Sequence, residues 1–67
     1  MNKDIIEGKW KQLKGEAQKQ WGKLTDDDFN KIAGQREKLT GKVQSLYGKS
    51  REDAEKEIDS FCKKYDC

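Results

Sequence analysis

The sequence predicts an all-α protein, a small bundle of about four short helices formed by two duplicated helix–turn–helix units. Three observations support this fold class. Apolar residues recur every three or four positions, which is the spacing of one helix face. No stretch has the apolar–polar alternation of a half-buried strand. The glycines form two triplets with intervals of seven: Gly8, Gly15, Gly22 and Gly34, Gly41, Gly48.

The first helix is predicted over residues 3–21. Its apolar face repeats in steps of three and four residues through Ile6, Trp10, Leu13, Ala17 and Trp21. Gly22 follows at the position where a left-handed residue commonly ends a helix, since glycine has no Cβ to clash there.

The middle segment is predicted to be helical over residues 26–47. Thr25 is an N-cap candidate, with Asp28 three residues later as a short variant of the capping box. The apolar face continues through Phe29, Ile32, Leu39, Val43 and Leu46 or Tyr47. Two arms joined near Gly34 and a single fused helix both satisfy this pattern.

The last helix is predicted over residues 51–64, with Ser50 as N-cap and Asp53 three residues on. Gly48 is placed to end the preceding helix. The apolar face carries Ala54, Ile58, Phe61 and Tyr65.

Three consecutive aspartates, residues 26–28, begin the middle segment. In a first helical turn, carboxylates are stabilised by the helix dipole. Further ligands at the spacing of a calcium loop do not follow. We therefore interpret them as capping residues and predict no metal site.

The second glycine triplet is the first shifted by 26 residues, and apolar positions follow the same shift. Leu13 pairs with Leu39, and Trp21 pairs with Tyr47. We expect one domain over residues 1–67, with repeat units at roughly 3–34 and 35–64.

The helical wheel places four glycines opposite the apolar face: Gly8, Gly15, Gly34 and Gly41. Glycine inside a helix costs about 0.8–1 kcal/mol relative to alanine. One interpretation is that these glycines are merely tolerated on the outside. The other is that they keep the fold conditionally ordered, so that it tightens when water is lost or when a partner binds.

Composition argues against an enzyme. The chain has 67 residues, of which 42% are charged and 31% hydrophobic, and it contains no histidine. A chain this short cannot enclose a large pocket, and imidazole is not present as a base or metal ligand. Two cysteines cannot complete a four-ligand zinc site. We predict no catalytic residues, no cofactor and no specific small-molecule substrate.

Charge alternates along the chain, although the net charge is only +2. Residues 1–24 carry +3, 25–34 carry −2, 35–49 carry +3 and 50–67 carry −2. Opposite charges favour packing of the helices on one another. An alternative function is weak polyanion binding, to nucleic acid or an anionic membrane surface. The candidate patch surrounds the two tryptophans and comprises Lys9, Lys11, Lys14 and Lys19.

The chain contains no apolar run long enough to cross a bilayer and no signal-peptide pattern, which predicts a cytoplasmic protein. In that compartment Cys62 and Cys67 are expected to be reduced thiols. We expect a monomer, with an oxidative dimer through Cys67 as the alternative under stress.

Several runs resemble the CsbD-like family of small bacterial general-stress proteins. The tryptophan–glycine run that leads into the aspartates and the glycine–lysine–valine–glutamine run are specific in combination. The similarity covers nearly the whole chain, through residues 1–4, 10–15, 21–28, 41–44, 47–48 and 54–57.

This resemblance implies a compact bundle of about four short helices and induction under general stress. It also implies a hydrophilin-like character, meaning a small, glycine-rich and very hydrophilic protein, and no established catalytic activity. The cysteine-containing end, residues 61–67, departs from the family pattern.

Overall fold

The computed structural model describes residues 4–67 and places five helices along them: α1 (Glu7–Gln12), α2 (Lys14–Gln20), α3 (Asp26–Ile32), α4 (Arg36–Tyr47) and α5 (Arg51–Tyr65). The described part of the chain contains no strand. The predicted all-α bundle is therefore confirmed.

The first predicted helix is divided into α1 and α2. Leu13 separates them with φ −89° and ψ 4°, which lies outside ideal helical geometry. Backbone hydrogen bonds still cross the break, because Leu13 N–H donates to Lys9 O and Ala17 N–H donates to Leu13 O. The two helices thus form one slightly distorted arm. The predicted start at Lys3 lies outside the described residues.

The middle segment is two helices, not one. Helix α3 ends at Ala33, which has φ 50°, and Gly34 follows with φ 81°. Two successive left-handed residues redirect the chain, and α4 starts at Arg36.

Gly34 is buried, so the prediction that it faces solvent is wrong. The chain segment before α1 lies directly against it: Ile5 N–H donates to Gly34 O over 2.7 Å. A Cβ at residue 34 would overlap the carbonyl oxygen of Ile5 and lie 3.5 Å from the Cβ of Trp10. The helical wheel failed here because Gly34 is in a turn.

The same contact decides which isoleucine before α1 is buried, and it is not the one predicted from the sequence. Ile5 is 5% exposed and belongs to the core, whereas Ile6, the predicted core residue, is 80% exposed. Ile6 precedes α1, so the helical period does not fix its direction. The backbone bond to Gly34 turns Ile5 inward instead.

The core lies where α4 packs along α5 and the arm and α3 cover them. Its buried apolar residues are Ile5, Trp10, Leu13, Ala17, Trp21, Leu24, Phe29, Ile32, Leu39, Val43, Ala54, Ile58 and Phe61. Leu46, Tyr47 and Tyr65 pack against its edge. Apart from Ile5 and Leu24, these residues follow the periodicity of the sequence.

The two turns that follow α2 and α4 differ in geometry. Gly48 is left-handed, with φ 62°, and ends α4 as predicted. Helix α2 instead ends in the extended residue Trp21, with φ −123°, so the left-handed cap predicted at Gly22 is wrong. Counted from the glycine to the N-cap, the first turn has four residues (22–25) and the second has three (48–50). The longer turn buries Leu24, whose N–H donates to Trp21 O. This extra residue makes a sharp reversal at Gly22 unnecessary.

We predict that Gly34→Ala destabilises the protein by about 2 kcal/mol or more, since it combines left-handed backbone strain with overlap at Ile5. Chemical denaturation of the purified variant measures the change in the free energy of unfolding. Gly41→Ala is the matched control, because it adds a Cβ in open space inside α4 and should stabilise by about 0.8–1 kcal/mol. Equal stability of the G34A variant and the wild type would contradict the packing described for residue 34.

Candidate functional site

Helix caps account for the serine, threonine and aspartate residues singled out from the sequence. Thr25 Oγ1 accepts a hydrogen bond from the backbone N–H of Asp28 at the start of α3, over 3.1 Å. Ser50 Oγ accepts one from the backbone N–H of Asp53 at the start of α5, over the same distance. The first backbone N–H of helix α4 is capped by a residue distant in sequence: Arg36 N–H donates to Asp4 Oδ1 over 3.2 Å.

The carboxylates at the start of α3 lie between two basic helices. Asp28 contacts Lys42 of α4 over 3.1 Å, and Asp26 contacts Lys14 of α2 over 3.5 Å. The pKa of Asp28 is lowered chiefly because Lys42 donates to its carboxylate, with further hydrogen bonds from Thr25. The pKa of Asp26 is lowered by a hydrogen bond from Gln18 and by the charge of Lys14. These carboxylates stay ionised and hold neighbouring helices.

Other ion pairs also join segments of opposite net charge. Arg36 of α4 pairs with Asp59 of α5, and Lys49 pairs with Glu57 of α5. Together with the pairs at Asp26 and Asp28, four contacts link a +3 segment to a −2 segment. The charge alternation therefore acts within the molecule.

A polar network joins the two turns. Trp21 Nε1 donates to one carboxylate oxygen of Glu57 over 3.0 Å, and Lys49 occupies the other oxygen. Close by, the backbone N–H of Lys23 donates to Tyr47 Oη over 2.9 Å. Since both oxygens of Glu57 have donors, this carboxylate is a structural acceptor and not a poised base.

Both tryptophans are core residues, each 1% exposed. The ring of Trp10 stacks on Phe29 with centroids 4.2 Å apart, and its Nε1 donates to Phe29 O over 3.1 Å. Neither indole can stack on the bases of a nucleic acid, because each ring is buried among the helices of the protein.

The four lysines of the candidate polyanion patch do not share one face. At about 100° per residue, Lys14 and Lys11 lie about 60° apart around the arm, Lys19 lies about 80° beyond Lys11, and Lys9 lies about 80° beyond Lys19, so the four spread over about 220°. The amine of Lys14 also pairs with Asp26. The structure therefore distributes this positive charge around the arm.

Three of the four predicted outward glycines are exposed: Gly8, Gly15 and Gly41. A Cβ at any of them would meet no atom within 4 Å. Gly41 is well inside α4, and Gly15 lies where backbone bonds continue across the arm. Gly8 is in the first turn of α1, where the penalty is smaller. The glycines at 15 and 41 together cost about 2 kcal/mol of helix propensity.

The structure pairs Cys62 with Cys67 in a disulfide, whereas the sequence predicted two reduced thiols in the cytoplasm. Asp66 ends α5 in a left-handed conformation, with φ 59°, and turns the chain back over its last turn. Cys67 is therefore not a frayed tail. An oxidative dimer through Cys67 would first require this intrachain bond to open.

The described surface carries open grooves. One is lined by Ile32 with Asp28, Lys31, Lys38 and Lys42. Within residues 4–67, each buried side-chain nitrogen and oxygen has a hydrogen-bond partner. No group of three potential metal ligands comes together in this part of the chain. None of the described helices is long and apolar enough to cross a membrane.

These features define a class: a small, highly charged helical-bundle protein whose polar side chains serve caps and interhelical contacts. The CsbD-like family model matches residues 4–56, and the chain belongs to the CsbD-like family. The resemblance in the sequence is thus confirmed, and this membership fits a family of general-stress proteins.

Curated relatives match almost end to end. A UPF0337 protein of Protochlamydia amoebophila is 58% identical over 65 residues, covering 97% of this chain and 98% of its own. The UPF0337 protein YjbJ of Escherichia coli O6:H1 is 54% identical over 66 residues, covering 98% and 96%. A third relative, from Pectobacterium atrosepticum, is 57% identical over 58 residues, covering 87% and 84%.

We predict that Asp28→Asn destabilises the protein at neutral pH and has no effect in strong acid. The native pKa of Asp28 lies below its ordinary value of 3.8, so its contribution is present above that value and is lost as pH falls through the native pKa. Chemical denaturation between pH 2 and 7 measures this difference.

Asp27→Asn is the control, because Asp27 pairs with Lys31 in its own helix and both side chains are more than 70% exposed. This variant should change stability little across the range. A D28N effect that is independent of pH would show that the charge of Asp28 does not hold α3 to α4.

Proposed function

We propose that this protein is a non-enzymatic stress protein of the bacterial cytoplasm that protects cell components when water is lost. The family fits a general-stress role. The hydrophilin-like mechanism is our proposal, and it is physical: a charged surface keeps the molecule hydrated and soluble, while weak helices allow its order to change.

The observation that carries this proposal is the pair of outward glycines, Gly15 and Gly41. Alanine would fit at both positions without touching another atom, and it would stabilise the helices. With glycine at these two positions, the protein is less stable than it would be with alanine in the same backbone conformation. In a small domain, about 2 kcal/mol is a substantial share of the total stability.

The surface supports the same proposal. Charged residues make up 42% of the chain, and many of them form exposed ion pairs such as Lys31 with Asp27. Such pairs are worth little in water. They become stronger as the surrounding dielectric falls. Drying therefore favours the helical state, and rehydration lowers the helical content again.

The polyanion-binding alternative has less support. The tryptophans that would stack on bases are buried, and the four lysines occupy different sides of the arm. The protective role is favoured because it needs no concentrated patch of positive charge.

We predict that Gly15→Ala combined with Gly41→Ala raises the free energy of unfolding by about 1.6–2 kcal/mol and reduces protection. The helices of this variant are already ordered in dilute buffer, so they gain less helicity on drying. Circular dichroism across drying and recovery of a labile client enzyme measure both effects.

Gly22→Ala is the matched control, because it adds the same methyl group on the surface but outside a helix. This variant should protect as well as the wild type. If the double alanine variant were more stable and still protected equally well, conditional order would not be the mechanism.

We further predict that single-stranded RNA binds only weakly, even at low salt. A salt titration monitored by fluorescence anisotropy measures this binding. Removing all four charges, with Lys9, Lys11, Lys14 and Lys19 changed to Gln, should leave client protection intact. Tight binding that falls steeply with salt and is lost in this variant would favour the polyanion alternative.

A further inference from the structure

The disulfide at the end of α5 has no part in the family pattern or in the proposed protective role. The family match ends at residue 56, before both cysteines. Cys62 and Cys67 nevertheless lie in a defined backbone arrangement at one end of the bundle.

We propose that Cys62 and Cys67 are a reversible thiol–disulfide pair that reacts with low-molecular-weight disulfides of the glutathione class, and that the fold promotes its closure. This proposal does not rest on the protective function. In a reducing compartment the pair would be a dithiol, and the disulfide would be the state reached under oxidation.

The main chain brings the two residues together. The left-handed conformation of Asp66 turns the chain so that Cys67 N–H donates to Cys62 O over 3.1 Å. The Cα atoms are 4.6 Å apart, which lies within the range that a disulfide spans. The residue before this turn is also fixed, because Tyr65 Oη donates to Glu16 Oε1 over 2.9 Å.

The pair is accessible to a small reagent. Cys67 is exposed and Cys62 is half-buried, and both line an open groove with Arg36, Asp59 and Lys63. Arg36 is paired with Asp59, so Lys63 is the cation in the groove that remains to favour a thiolate. Exposure and a nearby cation are the features of a reactive thiol.

The exchange balances without another reactant. The Cys67 thiolate attacks one sulfur of the small disulfide, forms a mixed disulfide and releases one small thiolate. The Cys62 thiolate then attacks the Cys67 sulfur and expels the second small thiolate. Two protein thiols and one small disulfide yield the protein disulfide and two small thiols. Two electrons pass from the protein to the small disulfide.

Closure also affects the rest of the fold. Cys67 lines a second groove together with Ile5 and Ile6. By joining Cys67 to Cys62 of α5, the disulfide keeps this last residue at the groove beside the segment before α1. By linkage, a fold that favours the disulfide is itself stabilised by the disulfide to the same extent. Oxidation would therefore tighten the protein.

The test equilibrates the full chain in buffers of reduced and oxidised glutathione at pH 7, blocks free thiols by alkylation and counts them by mass spectrometry. The same titration in 6 M guanidinium provides the unfolded reference. We expect the native pair to form an intrachain disulfide at least tenfold more readily than the unfolded chain, which corresponds to about 1.4 kcal/mol.

Two variants test the turn. Asp66→Gly should keep the tenfold preference, because glycine adopts a positive φ freely. Asp66→Pro should reduce it to the unfolded value, because proline fixes φ near −65°. Circular dichroism establishes whether each variant folds.

Equal closure in native and unfolded chains would overturn the proposal. So would accumulation of mixed disulfides or disulfide-linked dimers in place of the intrachain bond. A folded D66P variant that closes like the wild type would show that the backbone turn does not promote the reaction. If D66P does not fold, the native and unfolded titrations of the wild type decide the question.

Discussion

Two indole rings must be buried in this 67-residue chain, and each indole N–H then needs an acceptor. Leaving such a donor unsatisfied in a core costs about 1–3 kcal/mol. Trp10 finds its acceptor at the carbonyl of Phe29 in α3, and Trp21 finds it at the carboxylate of Glu57 in α5. The arm formed by α1 and α2 is thereby fixed to two other helices. Its position allows α4 and α5 to close the core.

Ion pairs between helices add to the contacts made by the core. Four ion pairs link segments of opposite net charge, as in the contact between Lys42 and Asp28. Each pair near the surface contributes little to the free energy of folding, because water screens the charges. They favour one arrangement of the helices, while apolar burial supplies most of the driving force. The result is a protein that folds with a small core and carries a strongly charged exterior.

The sequence predicted what periodicity controls: the helix faces, the ends at residues 47 and 51, and the outward direction of Gly15 and Gly41. It did not predict features that depend on contacts between distant residues. Gly34 is buried because Ile5 docks on it. Cys62 meets Cys67 because Asp66 is left-handed, a choice of backbone conformation that neighbouring residues do not dictate. The internal repeat remains a prediction, and its two turns differ by one residue.

We propose that this bundle is weakly stable, that it closes around two indoles whose N–H groups are hydrogen-bonded, and that it gains order as water is withdrawn. Hydrogen exchange of the two indole N–H groups, followed by nuclear magnetic resonance at increasing osmolyte concentration, measures this change in order. Both groups should exchange only through global unfolding, with one shared free energy of unfolding that rises as water activity falls. Rapid exchange of either indole in the folded protein, or a free energy that does not respond to osmolyte, would contradict it.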